Sequence, residues 1–240
     1  MSVSFSRKKL SSELIRIGGV TPFTTIDYPG ELSAVLFLQG CPWRCDYCHN
    51  KDFIERQQAA SVGWESVLDF LRERKTLLDA VVFSGGEPTL QTGLSEAIQQ
   101  VRHLGFKIGL HTAGVYPKRL KKLLPWLDWV GLDIKAPKSR YSAITGVSHS
   151  AERAWESAKL LTNSGVDYEI RTTLHPKLIS RSDLYQLVDE LKKMNVRHYS
   201  VQKCNTKYCS DSNSDEQDFV SLDQDDVGRI GGNFSSFEYR

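Results

Sequence analysis

Ala34-Val35-Leu36-Phe37-Leu38-Gln39-Gly40-Cys41-Pro42-Trp43-Arg44-Cys45-Asp46-Tyr47-Cys48-His49-Asn50 places an apolar run of strand length directly before a loop that carries three of the chain's five cysteines. A short apolar run bounded by turn residues reads as a buried strand, so the thiols are predicted at a strand end. Spaced C-x3-C-x2-C, three soft thiolates suit a [4Fe-4S] cluster, which takes four ligands and would keep one iron open to a small chelating molecule. Two alternatives stay open on these residues alone. One is a Cys3His zinc site using His49, although His49 adjoins Cys48 and short zinc spacings usually come with a second, distant ligand pair. The other is cysteines that bind nothing. A disulfide framework is not expected from five cysteines in 240 residues without an N-terminal apolar segment of signal-peptide length, and a reducing cytoplasm is the expected location.

Outward from this loop, strand-like and helix-like patterns alternate. Apolar runs occur at Ala34 to Leu38, Ala80 to Phe83, Lys107 to Leu110, Trp129 to Ile134, Tyr168 to Thr173 and Arg197 to Val201. Between them lie stripes with helical spacing: Trp64/Val67/Leu68/Leu71, Leu94/Ala97/Ile98/Val101, Ala151/Ala154/Trp155/Ala158 and Leu184/Leu187/Val188/Leu191, with a shorter helix over Pro117 to Leu124. Repeated strand-helix order calls for parallel strands joined by crossover helices. The expected fold is α/β, an incomplete (β/α)6 barrel of parallel strands with outer helices; an open Rossmann-like sheet is the alternative. The barrel is favoured because the cysteine loop, Ser84-Gly85-Gly86-Glu87, His111 to Gly114, Asp133-Ile134-Lys135, Arg171 and Gln202 all fall at or just beyond C-terminal strand ends, which a barrel gathers at one mouth. The chain is expected to form a single domain over residues 1–240, with a core at about 15–203 and a C-terminal extension at 204–240. Met1 to Leu14 reads as a loosely packed arm and Asp211 to Asp226, with six aspartates and one glutamate, as a surface loop.

Composition limits the function. At 27.2 kDa, with 40% hydrophobic and 25% charged residues, the chain can bury a substantial core. Net charge is +2 and the basic clusters Arg7 to Lys9 and Lys118 to Lys122 are short, which argues against nucleic-acid binding. No apolar stretch approaches the roughly 18 residues of a membrane span. In Phe83-Ser84-Gly85-Gly86-Glu87-Pro88-Thr89, two glycines after a strand let the backbone approach a ligand, and Glu87 can accept a proton from an ammonium group. A glycine turn with a capping glutamate is the plainer reading. A bulky side chain at Gly86 is expected to block the ligand at little cost to the fold. The segment matches neither G-x-x-x-x-G-K-[ST] nor G-x-G-x-x-G, so the usual nucleotide-loop readings lose support.

Cys41-x3-Cys45-x2-Cys48 with Tyr47 before the last cysteine, followed by Ser84 to Glu87 after the next strand, resembles the radical S-adenosylmethionine superfamily. Gly18 to Gly30 and Gln39 to Asn50 resemble, more narrowly, the anaerobic ribonucleoside-triphosphate reductase activating proteins, which are similar to the pyruvate formate-lyase activases. The resemblance spans about residues 15–203. It implies that Cys41, Cys45 and Cys48 hold a [4Fe-4S] cluster whose open iron binds S-adenosylmethionine. It further implies that Tyr47 lies by the adenine, that Gly85, Gly86 and Glu87 meet the methionyl amine, and that Asp133 and Lys135 position ribose and carboxylate. Arg171 falls where related activases have an arginine, and Gln202 where the pyruvate formate-lyase type has a cofactor-contacting histidine. The implied reaction is reductive cleavage to a 5'-deoxyadenosyl radical that takes a Cα hydrogen from a glycine of a partner enzyme, with flavodoxin or ferredoxin as electron donor.

Two departures accompany the resemblance. His111-Thr112-Ala113-Gly114 stands where the pyruvate formate-lyase type has Asp-Thr-Asn-Gly, so a cation site built on that aspartate is in doubt; His111 reads equally as a polar contact or as packing. Cys204-x4-Cys209 is half a metal site and reads first as free thiols, with a redox-active pair or a second cluster as alternatives. Other functions stay in view: a radical enzyme acting on a small molecule or peptide, a pyruvate formate-lyase-type activase, and a non-catalytic electron carrier or zinc scaffold. The amino-acid cradle at Ser84 to Glu87 weighs against the carrier, and the lack of a substantial domain after the sixth strand weighs against the small-molecule enzyme.

Overall fold

The computed structural model describes residues 15–56, 62–205 and 221–240. Among these residues, eight strands form one sheet in chain order: β1 (Ile17–Thr24), β2 (Ser33–Leu38), β3 (Ala80–Gly85), β4 (Lys107–Thr112), β5 (Trp129–Asp133), β6 (Asp167–Leu174), β7 (His198–Lys203) and β8 (Ser236–Tyr239). The six predicted strands are β2 to β7, and they pair in parallel with one another. The sheet ends at β1 and β8, so the barrel is open.

Two strands escaped the sequence pattern. β1 pairs antiparallel with β2, although Gly18, Gly19 and Pro22 give it a poor strand composition. As an edge strand it tolerates a proline that a central strand would exclude. β8 is only four residues long and pairs in parallel with β7.

The predicted helical stripes are the buried faces. α1 (Trp64–Glu73) buries Trp64, Val67, Leu68 and Leu71, and α2 (Leu94–His103) buries Leu94, Ala97, Ile98 and Val101. α3 (Pro117–Leu123) begins on its proline, whose missing N–H costs nothing in a first turn. After the short α4 (Tyr141–Thr145), α5 (Ser150–Thr162) and α6 (Arg181–Lys193) bury Ala151/Ala154/Trp155/Ala158 and Leu184/Leu187/Val188/Leu191. A capping box between Ser180 and Asp183 starts α6.

The main core lies between the helices and the outer sheet face. A second, small cluster of Tyr28, Val35, Ala80, Val82 and Trp129, with Phe37 against it, fills part of the interior. The remaining inward positions near the strand ends are polar. Asp211 to Asp226 is not a loop throughout: residues 206–220 lie outside the described residues, but Asp223 and Asp226 form a capping box at the start of α7 (Gln224–Gly231). Asp223 accepts from the Asp226 N–H in the first turn, Asp226 accepts in return from the N–H of Asp223, and both carboxylates complement the helix dipole, which is why an acidic run begins a helix here. Met1 to Leu14 and Cys209 also lie outside the described residues. Among the described residues, no helix is long and apolar enough to cross a membrane.

Candidate active site

A cavity of about 340 Å³ opens at the C-terminal strand ends. It is lined by Cys41, Cys45, Tyr47 and Cys48 of the loop after β2, by Gly85 and Gly86, and by Asp133, Lys135, Arg171 and Gln202. All the sequence-predicted site residues except Glu87 therefore share one cavity.

The cysteine loop is positioned by its backbone. Gly40 N–H donates to the Phe53 carbonyl (2.7 Å), Cys41 N–H to that of Ile54 (2.8 Å) and Arg44 N–H to that of Thr145 (2.9 Å). Glu87 N–H donates to the Gly40 carbonyl at 2.8 Å, and the Asn50 amide donates to the Gly85 carbonyl at 3.0 Å, tying the loop to the end of β3. Gly86 permits this approach. A Cβ there would lie 2.5 Å from the Gly40 oxygen and 2.7 Å from that of Phe53. A bulky residue at Gly86 would therefore displace the cysteine loop itself, which corrects the expectation of a merely blocked ligand site.

Glu87 is fully buried beneath the cavity wall. One carboxylate oxygen accepts from Thr89 N–H (3.0 Å), the Thr89 hydroxyl and the Thr112 hydroxyl (2.7 Å); the other accepts from Ala113 N–H (2.9 Å). Burial raises its pKa, against the lowering effect of these bonds. Its acceptors serve protein donors and brace the ends of β3 and β4 together. This is the capping glutamate of the plainer sequence reading, extended across two strands.

The opposite wall is positioned by charge. Arg171 Nε donates to Asp133 Oδ1 at 3.0 Å, and Lys135 Nζ lies 3.6 Å from Asp133 Oδ2. Gly131 makes room for the guanidinium, since a Cβ there would lie 2.7 Å from Arg171 Cζ. Burial opposes the Asp133 charge, but Arg171 and Lys135 hold its pKa below the usual carboxylate value. Burial likewise opposes the Lys135 charge, yet Tyr47 and Asp133 beside it raise its pKa well above that of an ordinary lysine. Lys135 Nζ also lies 5.7 Å from the centre of the Tyr47 ring.

The sequence reading missed several neighbours. His175, just after β6, packs against Tyr47 with ring centroids 5.8 Å apart and planes 28° apart. Asp27, Phe37, Trp43 and Thr173 also line the cavity. His111, left undecided by the sequence, is a polar contact: Nε2 lies 2.8 Å from the Asp27 carbonyl and Nδ1 3.4 Å from the Ser84 hydroxyl. Cys204 is buried, with its sulfur 3.8 Å from His49 Nε2.

Cys41, Cys45 and Cys48 are free thiols. Burial pushes Cys41 up to about 12, with Glu87 adding to the rise, and burial also raises Cys45. Among the described residues, no three His, Cys, Asp or Glu side chains are grouped closely enough to hold a single metal ion. Three thiols lining one cavity are the soft donor set that an iron–sulfur cluster takes.

The sequence profile of the Radical SAM superfamily matches residues 35–191, which span the cysteine loop, both glycines and the Asp133–Arg171 wall. The chain belongs to the radical SAM superfamily. A protein of Methanocaldococcus jannaschii named as a glycyl-radical enzyme activating enzyme is 31% identical over 202 residues, 80% of each chain. A pyruvate formate-lyase-activating enzyme of Clostridium pasteurianum is 31% identical over 191 residues, 76% of this chain and 78% of the relative. The crystal structure of Streptococcus suis SuiB bound to the precursor peptide SuiA superposes with a TM-score of 0.62 at 17% identity, over 83% of this chain; that coverage is 46% of the SuiB chain, and the likeness concerns the fold alone. The chain is thus a radical SAM enzyme related to the glycyl-radical enzyme activases, and membership implies S-adenosylmethionine and an iron–sulfur cluster as cofactors.

Proposed function

We propose that this radical SAM enzyme is a glycyl-radical activase whose partner is an anaerobic ribonucleoside-triphosphate reductase. The observation that carries the reading is the single cavity joining Cys41, Cys45 and Cys48 to the Asp133–Lys135–Arg171 wall, in a barrel open between β1 and β8. The motifs Gly18 to Gly30 and Gln39 to Asn50 support the reductase as partner. The names of the pyruvate formate-lyase-activating relatives support a lyase of that type as the second choice.

In this reading Cys41, Cys45 and Cys48 hold a [4Fe-4S] cluster, reduced by flavodoxin or ferredoxin. When bound, the cluster and S-adenosylmethionine supply one-electron cleavage to methionine and a 5'-deoxyadenosyl radical, which takes a glycine Cα hydrogen and leaves 5'-deoxyadenosine. The protein's own residues bind, orient and shield. Tyr47 offers an aromatic face to adenine. Gly85 and Gly86 keep the backbone open to the amino-acid end, and the Lys135 and Arg171 cations attract the carboxylate. Asp133 accepts hydrogen bonds from hydroxyls, and Gln202 adds an amide contact from β7. Glu87 is assigned a positioning role, since it holds the glycine turn rather than the ligand. Phe37 and Trp43 keep water and stray hydrogen donors from the reacting centre.

The test is anaerobic reconstitution with about four iron and four sulfide per chain, reduction, and addition of S-adenosylmethionine and the reductase. The expected result is a partner-centred electron paramagnetic resonance signal whose main splitting collapses when the glycine Cα is deuterated, with methionine and 5'-deoxyadenosine formed alongside. Cofactor cleavage without a glycyl radical on either reductase or lyase would overturn the reading in favour of a small-molecule or peptide substrate.

A further inference from the structure

The segment between β1 and β2 turns into the barrel instead of passing around it. The Thr24 hydroxyl donates to Asp27 Oδ2 at 2.7 Å and accepts from Ile26 N–H at 3.3 Å, which closes a compact turn. Tyr28 then enters the interior and packs on Trp129, with ring centroids 5.5 Å apart. Gly109 leaves room for it, since a Cβ there would lie 3.0 Å from the Tyr28 ring. Asp27 lines the cavity, while Ile26 beside it is 85% exposed.

The turn has one described side-chain hydrogen bond to the parallel strands of the barrel, and His111 of β4 makes it. A carbonyl oxygen only accepts, so the 2.8 Å contact with Asp27 places the proton on His111 Nε2. Nδ1 is then a bare acceptor facing the Ser84 hydroxyl. The ring stands edge-on to Trp129, with centroids 5.6 Å apart, so the indole that supports Tyr28 also orients the imidazole.

We infer that His111 is a positioning residue for the incoming protein segment: it pins the Asp27 carbonyl so that the Thr24 to Tyr28 turn forms a fixed floor and lip, against which the glycine-bearing backbone of the partner stops at the correct depth. The inference rests on the activase reading. Tyr28 remains anchored without His111, so loss of the tether loosens the turn without emptying the interior core. Asp27 and His111 both line the cavity assigned to the cofactor, so S-adenosylmethionine affinity is read beside partner KM; in this inference loosening of the floor raises partner KM more than it lowers kcat or cofactor affinity.

The test compares the full-length reconstituted enzyme with His111→Leu, which removes the donor, and His111→Gln, whose side-chain amide can still donate to the Asp27 carbonyl. Glycyl-radical formation is measured against anaerobic ribonucleoside-triphosphate reductase concentration, and amide exchange is followed at Ile26 and Tyr28. The expected result is a KM rise of about tenfold in His111→Leu, the scale of one lost hydrogen bond, with faster exchange in the turn and with both effects reversed in His111→Gln. An unchanged KM in His111→Leu, a loss confined to kcat, or no rescue by glutamine would overturn the inference while leaving the activase reading intact. A wild-type enzyme that forms no radical on the reductase would defeat the activase reading, and the partner role of His111 with it.

Discussion

The cysteine loop and the Asp133 wall face one cavity, but they are held in opposite ways. The loop hangs on backbone hydrogen bonds: Gly40 to Phe53, Cys41 to Ile54, Arg44 to Thr145 and Glu87 to Gly40. The wall stands on side-chain charge, with Asp133 between Arg171 and Lys135. A backbone scaffold tolerates changes in side-chain charge but has no room for an added atom. A charged scaffold tolerates small changes of volume but fails when one charge is removed, because its partners remain enclosed without compensation.

Gly86→Val tests the first scaffold most severely. Its added carbons would occupy the space of the Gly40 and Phe53 carbonyls. The expected cost is at least about 3 kcal/mol, seen as a large fall in melting temperature, with iron content after reconstitution falling in parallel. Retention of both melting temperature and iron would show that the loop is not fastened there.

Asp133→Asn tests the second scaffold. The side chain is 35% exposed to the cavity, so the expected cost is about 1–2 kcal/mol, less than for a fully enclosed ion pair. S-adenosylmethionine affinity should fall about tenfold, with little change in iron content. The pH dependence has a defined sign. Because the folded pKa of Asp133 is depressed, its carboxylate stabilises the fold above the unfolded value of about 4 and loses that contribution as pH falls through the folded pKa. The stability gap between wild type and Asp133→Asn should therefore be widest near neutrality and close in acid. A gap that widens in acid would contradict the ion-pair account.

The smallest effect is expected from Glu55→Gln. Glu55 pairs with Arg44 on the loop's outer surface at 2.9 Å, with both side chains more than half exposed. Stability should change by no more than about 0.5 kcal/mol, with iron content unchanged. A larger loss would mean that charge as well as backbone geometry holds the loop.

The sequence disclosed the outer layer well because apolar spacing records which side of a helix meets the sheet. The stripes of α1, α2, α5 and α6 are the buried sets that the structure displays. It disclosed the lining of the candidate cavity in outline because thiols, paired glycines and the Asp133-x-Lys135 pattern fall directly after apolar strands. The roles of Gly86 and Glu87 were less legible. Both depend on which backbone lies across from them, and the partners, Gly40 and Phe53 for one and Thr112 and Ala113 for the other, are distant in sequence. β1 was hidden by its glycines and proline, and β8 by its length. His111 was undecidable from its neighbours in the chain because its carbonyl partner lies 84 residues earlier.

Strand order that follows chain order has a consequence for synthesis on the ribosome. Each new strand pairs with the one made just before it, so the sheet can grow from one edge as the polypeptide emerges, with short closure distances at each step. The cysteine loop and the glycine turn behind it lie within the first four strands, whereas Asp133 and Arg171 arrive with the fifth and sixth. Assembly of the thiol side of the cavity thus precedes assembly of its charged side. The cysteine loop and the glycine turn therefore leave the ribosome before Asp133 and Arg171 do, and the Glu87 brace closes once Thr112 and Ala113 have followed them.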